Sequence, residues 1–408
     1  MARIAVLAAL ILFFTAPLPD AHATNGDTLI GVAAASRAMG GVGVAAPQDA
    51  ISAIFANPAA ICMGPYCPGS ETVFAATVYA PTVKAEVSVG PNVQAVKSQM
   101  KPFVIPSVGM ITPVSERVRF GLGMFGITGM GVDYRNKGID LNPSNPGSEG
   151  DIYTQLQILK FAPNLAYLVT PNFSVGASLH LLYGSLDLGQ GAAHSYGFGG
   201  QLGALYRIGP FSLGGSYTSA EKVTHNRVSD FGSGAARRDL AMESPQTVVM
   251  GVAWRPMARV LVETDAKWLN WKDAAGYRDF DWADQWVYAL GVQYKEADGL
   301  CLRGGYNYGK SPVRIHDNFN AFGTTSVQGE SVPTLLYEYL RVVGFPAIAE
   351  HHFTLGIGYR FFGRFEAQLG GMYSLSNKIS ERDSSGTFGF SSKVQETSYD
   401  IGLVWNFI

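Results

Sequence analysis

Five cations stand in stretches of alternating polarity: Arg119, Lys160, Lys267, Arg303 and Arg360. All fall on the polar face of their stretch, where each could hold a carboxylate. Lys160 and Arg303 are the preferred ligand-binding candidates, because both interrupt otherwise apolar or small neighbourhoods. Acids of the same face, Glu263, Asp265 and Glu366, offer the competing use, ion pairing within the protein. Phe125 shares that face and is a candidate for lining a pocket. Hydrolysis has little support. Ser178 and His180 share a face, but no orienting acid and no G-x-S-x-G elbow accompanies them. The seven His are scattered, His351 and His352 would point to opposite faces of a strand, and no metal-ligand spacing appears. The Gly-x-Gly runs lack the following helix that a phosphate loop requires. No enzyme, cofactor or metal is expected. Cys62 and Cys67 are close together in a chain expected to be exported; a disulfide closing a small loop and two free thiols fit equally. Cys301 reads as a small residue of the wall.

The elements that would position these groups are strands. Phe173, Val175, Ala177, Leu179, Leu181 and Tyr183 alternate with Ser174, Gly176, Ser178, His180, Leu182 and Gly184. Trp286 to Tyr294 and Phe353 to Phe361 repeat the pattern, so each run is apolar on one side only. The count of 48 Gly in 408 residues is well above the ~7% usual in proteins. A net charge of −2 gives no electrostatic case for nucleic acid. No stretch after residue 23 is long and apolar enough for a spanning helix, so a membrane-spanning chain would have to be a closed barrel.

Fourteen strands are predicted, at 70–83, 100–112, 117–130, 153–169, 173–186, 195–207, 211–220, 244–255, 259–271, 284–296, 300–312, 351–361, 365–378 and 393–407. Tight turns at Thr112-Pro113, Thr170-Pro171-Asn172, Ile208-Gly209-Pro210, Arg255-Pro256, Ala297-Asp298-Gly299 and Phe362-Gly363-Arg364 alternate with longer polar segments near 84–99, 131–152, 187–194, 221–243, 272–283, 313–350 and 379–391. Short periplasmic turns alternating with long outer loops are the pattern of an outer-membrane barrel. The fold class expected is all-β, a fourteen-stranded antiparallel transmembrane barrel over residues 70–408, with both barrel ends periplasmic. Residues 335–343 inside the longest loop have an amphipathic helical pattern.

Two segments precede the barrel. Residues 1–23, with Arg3, an apolar run and Ala21-His22-Ala23, read as a cleaved signal peptide. Residues 24–69 are small and Gly-rich at Gly40, Gly41 and Gly43. Asp49 is placed to cap a short helix carrying Ile51, Ile54 and Phe55 on one face, and Asn57-Pro58 ends it. Such a segment is too small to fold alone, and its apolar face suits packing inside the barrel as a plug.

The run Ser36 to Ala45, then Gln48-Asp49-Ala50, then Asn57-Pro58-Ala59-Ala60 resembles the hatch of the FadL/TodX family of outer-membrane transporters. Fragments along the barrel resemble that family's second, fourth and eleventh strands: Phe103 to Gly109, Phe161 to Tyr167, and Leu302 to Tyr306 with Ser311-Pro312. The resemblance covers essentially all of the chain after the leader. It implies a fourteen-stranded barrel with an N-terminal hatch and passive, hatch-gated uptake of a hydrophobic small molecule such as a long-chain fatty acid or hydrocarbon. It also implies lateral release at a kink in the third strand, for which Gly126, Gly129 and Gly131 are the candidates, within a run that begins at Gly121. The expected surroundings are outer-membrane lipid and lipopolysaccharide of a Gram-negative cell, and the expected state is a monomer. A general porin, which needs an open lumen, and an adhesin or structural barrel acting through loops 221–243 and 313–350 are the alternatives.

Overall fold

The computed structural model describes residues 24–61, 70–137, 139, 152–230 and 236–407. The expected leader, the Cys62/Cys67 pair and Ile408 lie outside the described residues. Fourteen long strands form the wall: β1 Ser70–Val89, β2 Phe103–Pro113, β3 Val118–Asp133, β4 Tyr153–Thr170, β5 Phe173–Asp187, β6 Ala193–Ile208, β7 Phe211–Thr218, β8 Thr247–Met257, β9 Val260–Leu269, β10 Gln285–Lys295, β11 Leu300–Gly309, β12 His351–Phe361, β13 Phe365–Ser374 and β14 Phe388–Phe407. Each pairs antiparallel with the next. The sheet closes where β14 runs against β1, from Phe407 opposite Ser70 to Phe388 opposite Val89. Closure leaves no open edge in the wall.

The alternation sorts side chains as the sequence implies. Phe74, Leu165, Leu179, Trp286, Tyr288, Leu355 and Ile401 are exposed on the outer face, while Ser178, His180, Glu263, Arg303, His352 and Gln368 are buried on the inner one. At the short-turn end, aromatic residues pair across strands: Phe173 with Tyr206, Phe211 with Trp254, and Phe365 with Trp405, with ring centroids 6.5, 6.3 and 6.1 Å apart. Amphipathic rings at one level of an apolar band form the aromatic girdle of a membrane barrel.

Four of the six tight turns fall where expected; Thr112-Pro113 and Arg255-Pro256 instead end strands, with the turns directly after them at 114–117 and 258–259, and the opposite end differs more. β1 and β14 have 20 residues each, about twice the ~9–11 needed to cross a bilayer. At the long-loop end, segments read as loops prolong the ladder: Asn92–Lys97 pairs with the end of β1, Glu221–Ser229 with Arg238–Ser244, and Asn377–Arg382 with the start of β14. Beyond the lipid no apolar face is required, so the strands continue while the period-2 signal fades. Helix α3, Thr334–Tyr339, followed by a π turn at Leu340–Gly344, occupies the long-loop end with a small hairpin of Thr324–Val327 and Glu330–Pro333.

Residues 24–61 lie inside the barrel. They carry two short helices, α1 Ala34–Arg37 and α2 Ala50–Ala56, and a single 3-10 turn at Pro58–Ala60. Asp49 caps α2, accepting from Ser52 N at 2.8 Å, and Asn57 ends it in extended backbone (φ −157°) ahead of Pro58. Ile51 and Ile54 are fully buried against β2 and β3. Glycines of those strands make the room: a Cβ on Gly109 would sit 2.7 Å from Ile51 Cγ1, and one on Gly123 3.0 Å from Ile54 Cγ2.

Candidate functional site

The inner segment is held by polar groups from around the whole wall. Arg37, completely buried, donates to Asp400 Oδ1 at 2.8 Å and to Ser398 Oγ at 2.6 Å, both on β14. Four successive backbone N–H groups are taken up by two acids of β9. Gly43 and Val44 donate to Asp265 Oδ2 at 3.0 and 3.3 Å, and Ala45 and Ala46 to Glu263 Oε1 at 2.8 and 2.9 Å. Ala50 N donates to Glu71 of β1 at 2.6 Å. The Gly-rich run permits this closeness. Gly40 and Gly41 both have positive φ, and a Cβ on Gly41 would lie 2.0 Å from Ile30 O. Gly43 has neither constraint; its part is the N–H given to Asp265.

Asn57 joins this segment to the opposite wall. Its Nδ2 donates to Val44 O at 2.8 Å and to Ala204 O of β6 at 3.0 Å, and its Oδ1 accepts from Ala59 N at 3.0 Å. The fit is so close that a Cβ on Gly203 would fall 2.0 Å from that Oδ1. Removing the amide leaves buried partners unsatisfied, at about 1–3 kcal/mol. Asn57→Ala is expected to speed hydrogen exchange of residues 57–61 by tenfold or more while leaving α1 protected; mass spectrometry of the exchanged protein checks this.

Between the inner segment and the wall lies a cavity of about 100 Å³. Leu29, Ile54, Phe55, Phe125 and Ile127 give it an apolar side, with Phe55 set edge-on to Phe125 at 5.6 Å. Its polar side holds Lys160, His180, Glu221, Asp265, Lys267 and Asn307. Of the candidates read from sequence, Phe125 and Lys160 face this cavity and Arg303 does not. Arg303 is buried in the wall, bonded to Glu366 at 2.9 Å and Gln293 at 2.9 Å. Arg360 lies at the turn end, half exposed, 3.9 Å from Glu366, and Arg119 bonds to Ser115 O at 2.8 Å in the β2–β3 turn. Lys160 is paired with Glu221 at 2.8 Å, and the same carboxylate meets His180 Nδ1. His180 thus does have an acid, but the Ser178 hydroxyl donates to Pro163 O at 3.0 Å, so no relay forms. Lys267 faces the cavity with no hydrogen-bonding or ion-pair partner among the described residues.

The third strand carries a defect where the Gly residues crowd. Its register against β4 shifts between Gly126 and Thr128, so Ile127 is an extra residue. A Cβ would meet Ile105 Cγ2 at 2.5 Å on Gly126 and Thr154 O at 2.3 Å on Gly131, whereas Gly129 has open space beside it. Thr28 of the inner segment pairs with Thr128 directly after the shift.

At the long-loop end, His316 and Arg341 tie three loops together. His316 sets Nδ1 2.8 Å from Glu338 and Nε2 2.9 Å from Asp281. Arg341 donates to Glu338 at 2.7 Å, Glu381 at 2.5 Å and the carbonyls of Phe280 and Arg314 at 3.2 and 2.9 Å. Tyr337 stacks on the imidazole. An imidazole with a carboxylate at each nitrogen donates from both only when protonated. The Glu338 bond raises the His316 pKa above 6.5, against burial and the Arg341 charge, with Asp281 adding to the rise. A raised folded-state pKa stabilises fully below the unfolded value of ~6.5 and is lost as pH rises through the folded value. Hydrogen exchange of residues 334–344 is therefore expected to quicken from pH ~6 to ~8, relative to intrinsic rates, and His316→Gln is expected to flatten that dependence.

A family model described as outer membrane protein transport protein (OMPP1/FadL/TodX) matches residues 28–221. No curated protein matches the chain. Among solved structures, the fold is similar to the toluene transporter TodX of Pseudomonas putida, at 20% identity over 93% of this chain and 99% of that one, with a TM-score of 0.68. It is similar also to a Pseudomonas aeruginosa FadL homologue (15%, 94% and 100%, 0.65) and to the toluene transporter TbuX of Ralstonia pickettii (17%, 93% and 99%, 0.63). A closed fourteen-stranded wall with a helical N-terminal segment within it is therefore the fold shared with these transporters, and the OMPP1/FadL/TodX model matches the part of this chain that spans most of the inner segment and the first seven strands of the wall.

Proposed function

We propose that this protein carries hydrophobic small molecules passively across the outer membrane, with residues 24–69 as a hatch that must move for passage. The observation that carries this reading is the cavity itself, whose apolar side is shared between hatch (Leu29, Ile54, Phe55) and wall (Phe125, Ile127). A ligand seated there presses on the hatch. At about 100 Å³ the closed cavity is smaller than the ~300–1,000 Å³ usual for ligand pockets, so a long chain enters only if the hatch yields. Lys267, which faces the cavity beside Asp265 without a direct hydrogen bond or ion pair to it, favours an amphiphile with an acidic head, such as a long-chain fatty acid. A second reading, a single-ring hydrocarbon, draws on the cavity's small size and on the toluene transporters among the similar folds. In either case we place the tight turns and both barrel ends in the periplasm, the long loops in the lipopolysaccharide, and the β3 bulge at Gly126–Thr128 as the lateral exit.

The test is uptake of a labelled long-chain fatty acid and of toluene by cells with and without the gene, alongside a variant lacking residues 24–60. Loss of one uptake on gene deletion, altered again in the hatch variant, supports gated transport and names the ligand class. Unchanged uptake of both, with the protein present in the outer membrane, sinks the reading for these ligands.

A further inference from the structure

The start of the hatch touches the outer loop between β9 and β10 at one buried spot. Gly26, at φ +65°, lies beneath two indoles; a Cβ there would sit 2.9 Å from Trp271 Cζ2 and 3.0 Å from Trp282 Cζ3. The next residue, Asp27, accepts a hydrogen bond from the Tyr277 hydroxyl. Trp271, Tyr277 and Trp282 form a closed cluster with ring centroids 4.6 to 5.0 Å apart, and Asp27 and Tyr277 are buried with them. The residue after Asp27 is Thr28, which pairs with Thr128 at the β3 bulge.

The same loop is fastened outward. The Asp279 carboxylate accepts from Gln328 N at 3.2 Å, and its carbonyl accepts from the Tyr337 hydroxyl at 3.0 Å. Phe280 O accepts from Arg341, and Asp281 meets His316. Within five residues, Tyr277 to Asp281, the chain grips the hatch with its first side chain and the outer cap with the other contacts.

We propose that Tyr277 is the positioning residue of a relay from cap to hatch, a step that rests on the gated-transport reading above. Displacement of the cap by an incoming ligand moves residues 277–281, breaks the Tyr277–Asp27 bond and frees residues 24–28 from the β3 bulge. The outer surface is thereby linked to the wall defect through Tyr277, Asp27 and Thr28. The cap does not need to touch the hatch elsewhere for its state to reach β3.

The test uses the full barrel in detergent and two variants. Tyr277→Phe keeps the ring in its cluster and removes only the hydroxyl; His316→Ala loosens the cap at a point that the Asp27 bond does not include. Hydrogen exchange is read for residues 24–30, 50–56 and 334–344, with uptake measured in cells. Tyr277→Phe is expected to speed exchange of 24–30 roughly tenfold, the scale of one buried hydrogen bond to a carboxylate, and to leave helix 50–56 unchanged. His316→Ala is expected to speed exchange of 334–344 and, through the relay, of 24–30. If His316→Ala loosens 334–344 while 24–30 keeps its protection, the relay is overturned, and so it is if Tyr277→Phe leaves 24–30 unaltered. Should Tyr277→Phe fail to assemble, Asp27→Ala tests the same bond from its other end. Faster exchange of 24–30 in both variants with uptake unchanged upholds the relay and overturns the gated-transport reading instead.

Discussion

Replacing Glu263 and Asp265 together by Ala is expected to open the barrel to ions. These two carboxylates accept all four N–H groups from Gly43 to Ala46, at 2.8 to 3.3 Å. Hydrogen bonds to charged acceptors contribute about 1.5–3 kcal/mol each, and lumen water will replace part of that. A net loss of roughly 3–6 kcal/mol for the set is enough to raise the population of a displaced hatch by 100-fold or more. The wall loses little, because β9 keeps its backbone ladder to β8 and β10. Single-channel recording of the purified protein should show a clear rise in mean ion conductance, and cells should become more sensitive to bulky antibiotics. Wild-type conductance from a variant whose barrel is folded would mean that the hatch is held elsewhere, with Arg37–Asp400 the next anchor to remove. The conservative pair Glu263→Gln and Asp265→Asn keeps an acceptor oxygen at each position and should give an intermediate conductance.

The wall was legible in the sequence because lipid and lumen impose opposite demands on successive residues. Trp286, Tyr288, Leu290, Val292 and Tyr294 are all exposed on the outer face, and Gln285 and Gln293 are buried on the inner one. The hatch helix was legible from local chemistry alone, since a capping Asp49 and an Asn-Pro stop act within a few residues. The pairing of charges across the lumen was not. Parity assigns a side chain to a face but says nothing of what lies opposite in space. Glu221 stood in a segment read as loop, yet it begins an inward-leaning strand and takes up both Lys160 and His180. Lys267, two residues from Asp265 on one face, looked like half of an ion pair. Asp265 instead gives its Oδ2 to the backbone of residues 43 and 44 and makes no direct bond to Lys267, acting on it only through its charge. The outer extensions of β1 and β14 escaped notice for a related reason: outside the bilayer nothing forces an apolar face.

That exchange of partners makes Lys267 the residue on which ligand class turns. A cation on a cavity whose other side is apolar, with no direct hydrogen bond or ion pair among the described residues and only the Asp265 charge nearby, attracts an anionic head more strongly than it would in water. Lys267→Met keeps the length and the apolar stem and removes the charge. If the ligand is a fatty acid, its binding is expected to weaken about 10- to 100-fold, the worth of one charge-assisted hydrogen bond of roughly 1.5–3 kcal/mol. Toluene, which has no charge to lose, should bind and enter as before, or better, since the cavity becomes more apolar. Lys160→Met is the contrasting variant. It strands the buried Glu221 carboxylate, which has only His180 left to meet it, so its first effect should be on stability, by about 3–5 kcal/mol, and on both ligands alike. Titration of the purified variants with a labelled fatty acid and with toluene, beside thermal unfolding, separates these outcomes. A Lys267→Met protein that holds fatty acid as tightly as the wild type would remove the acidic head from the description of the ligand and leave the cavity to a neutral hydrocarbon.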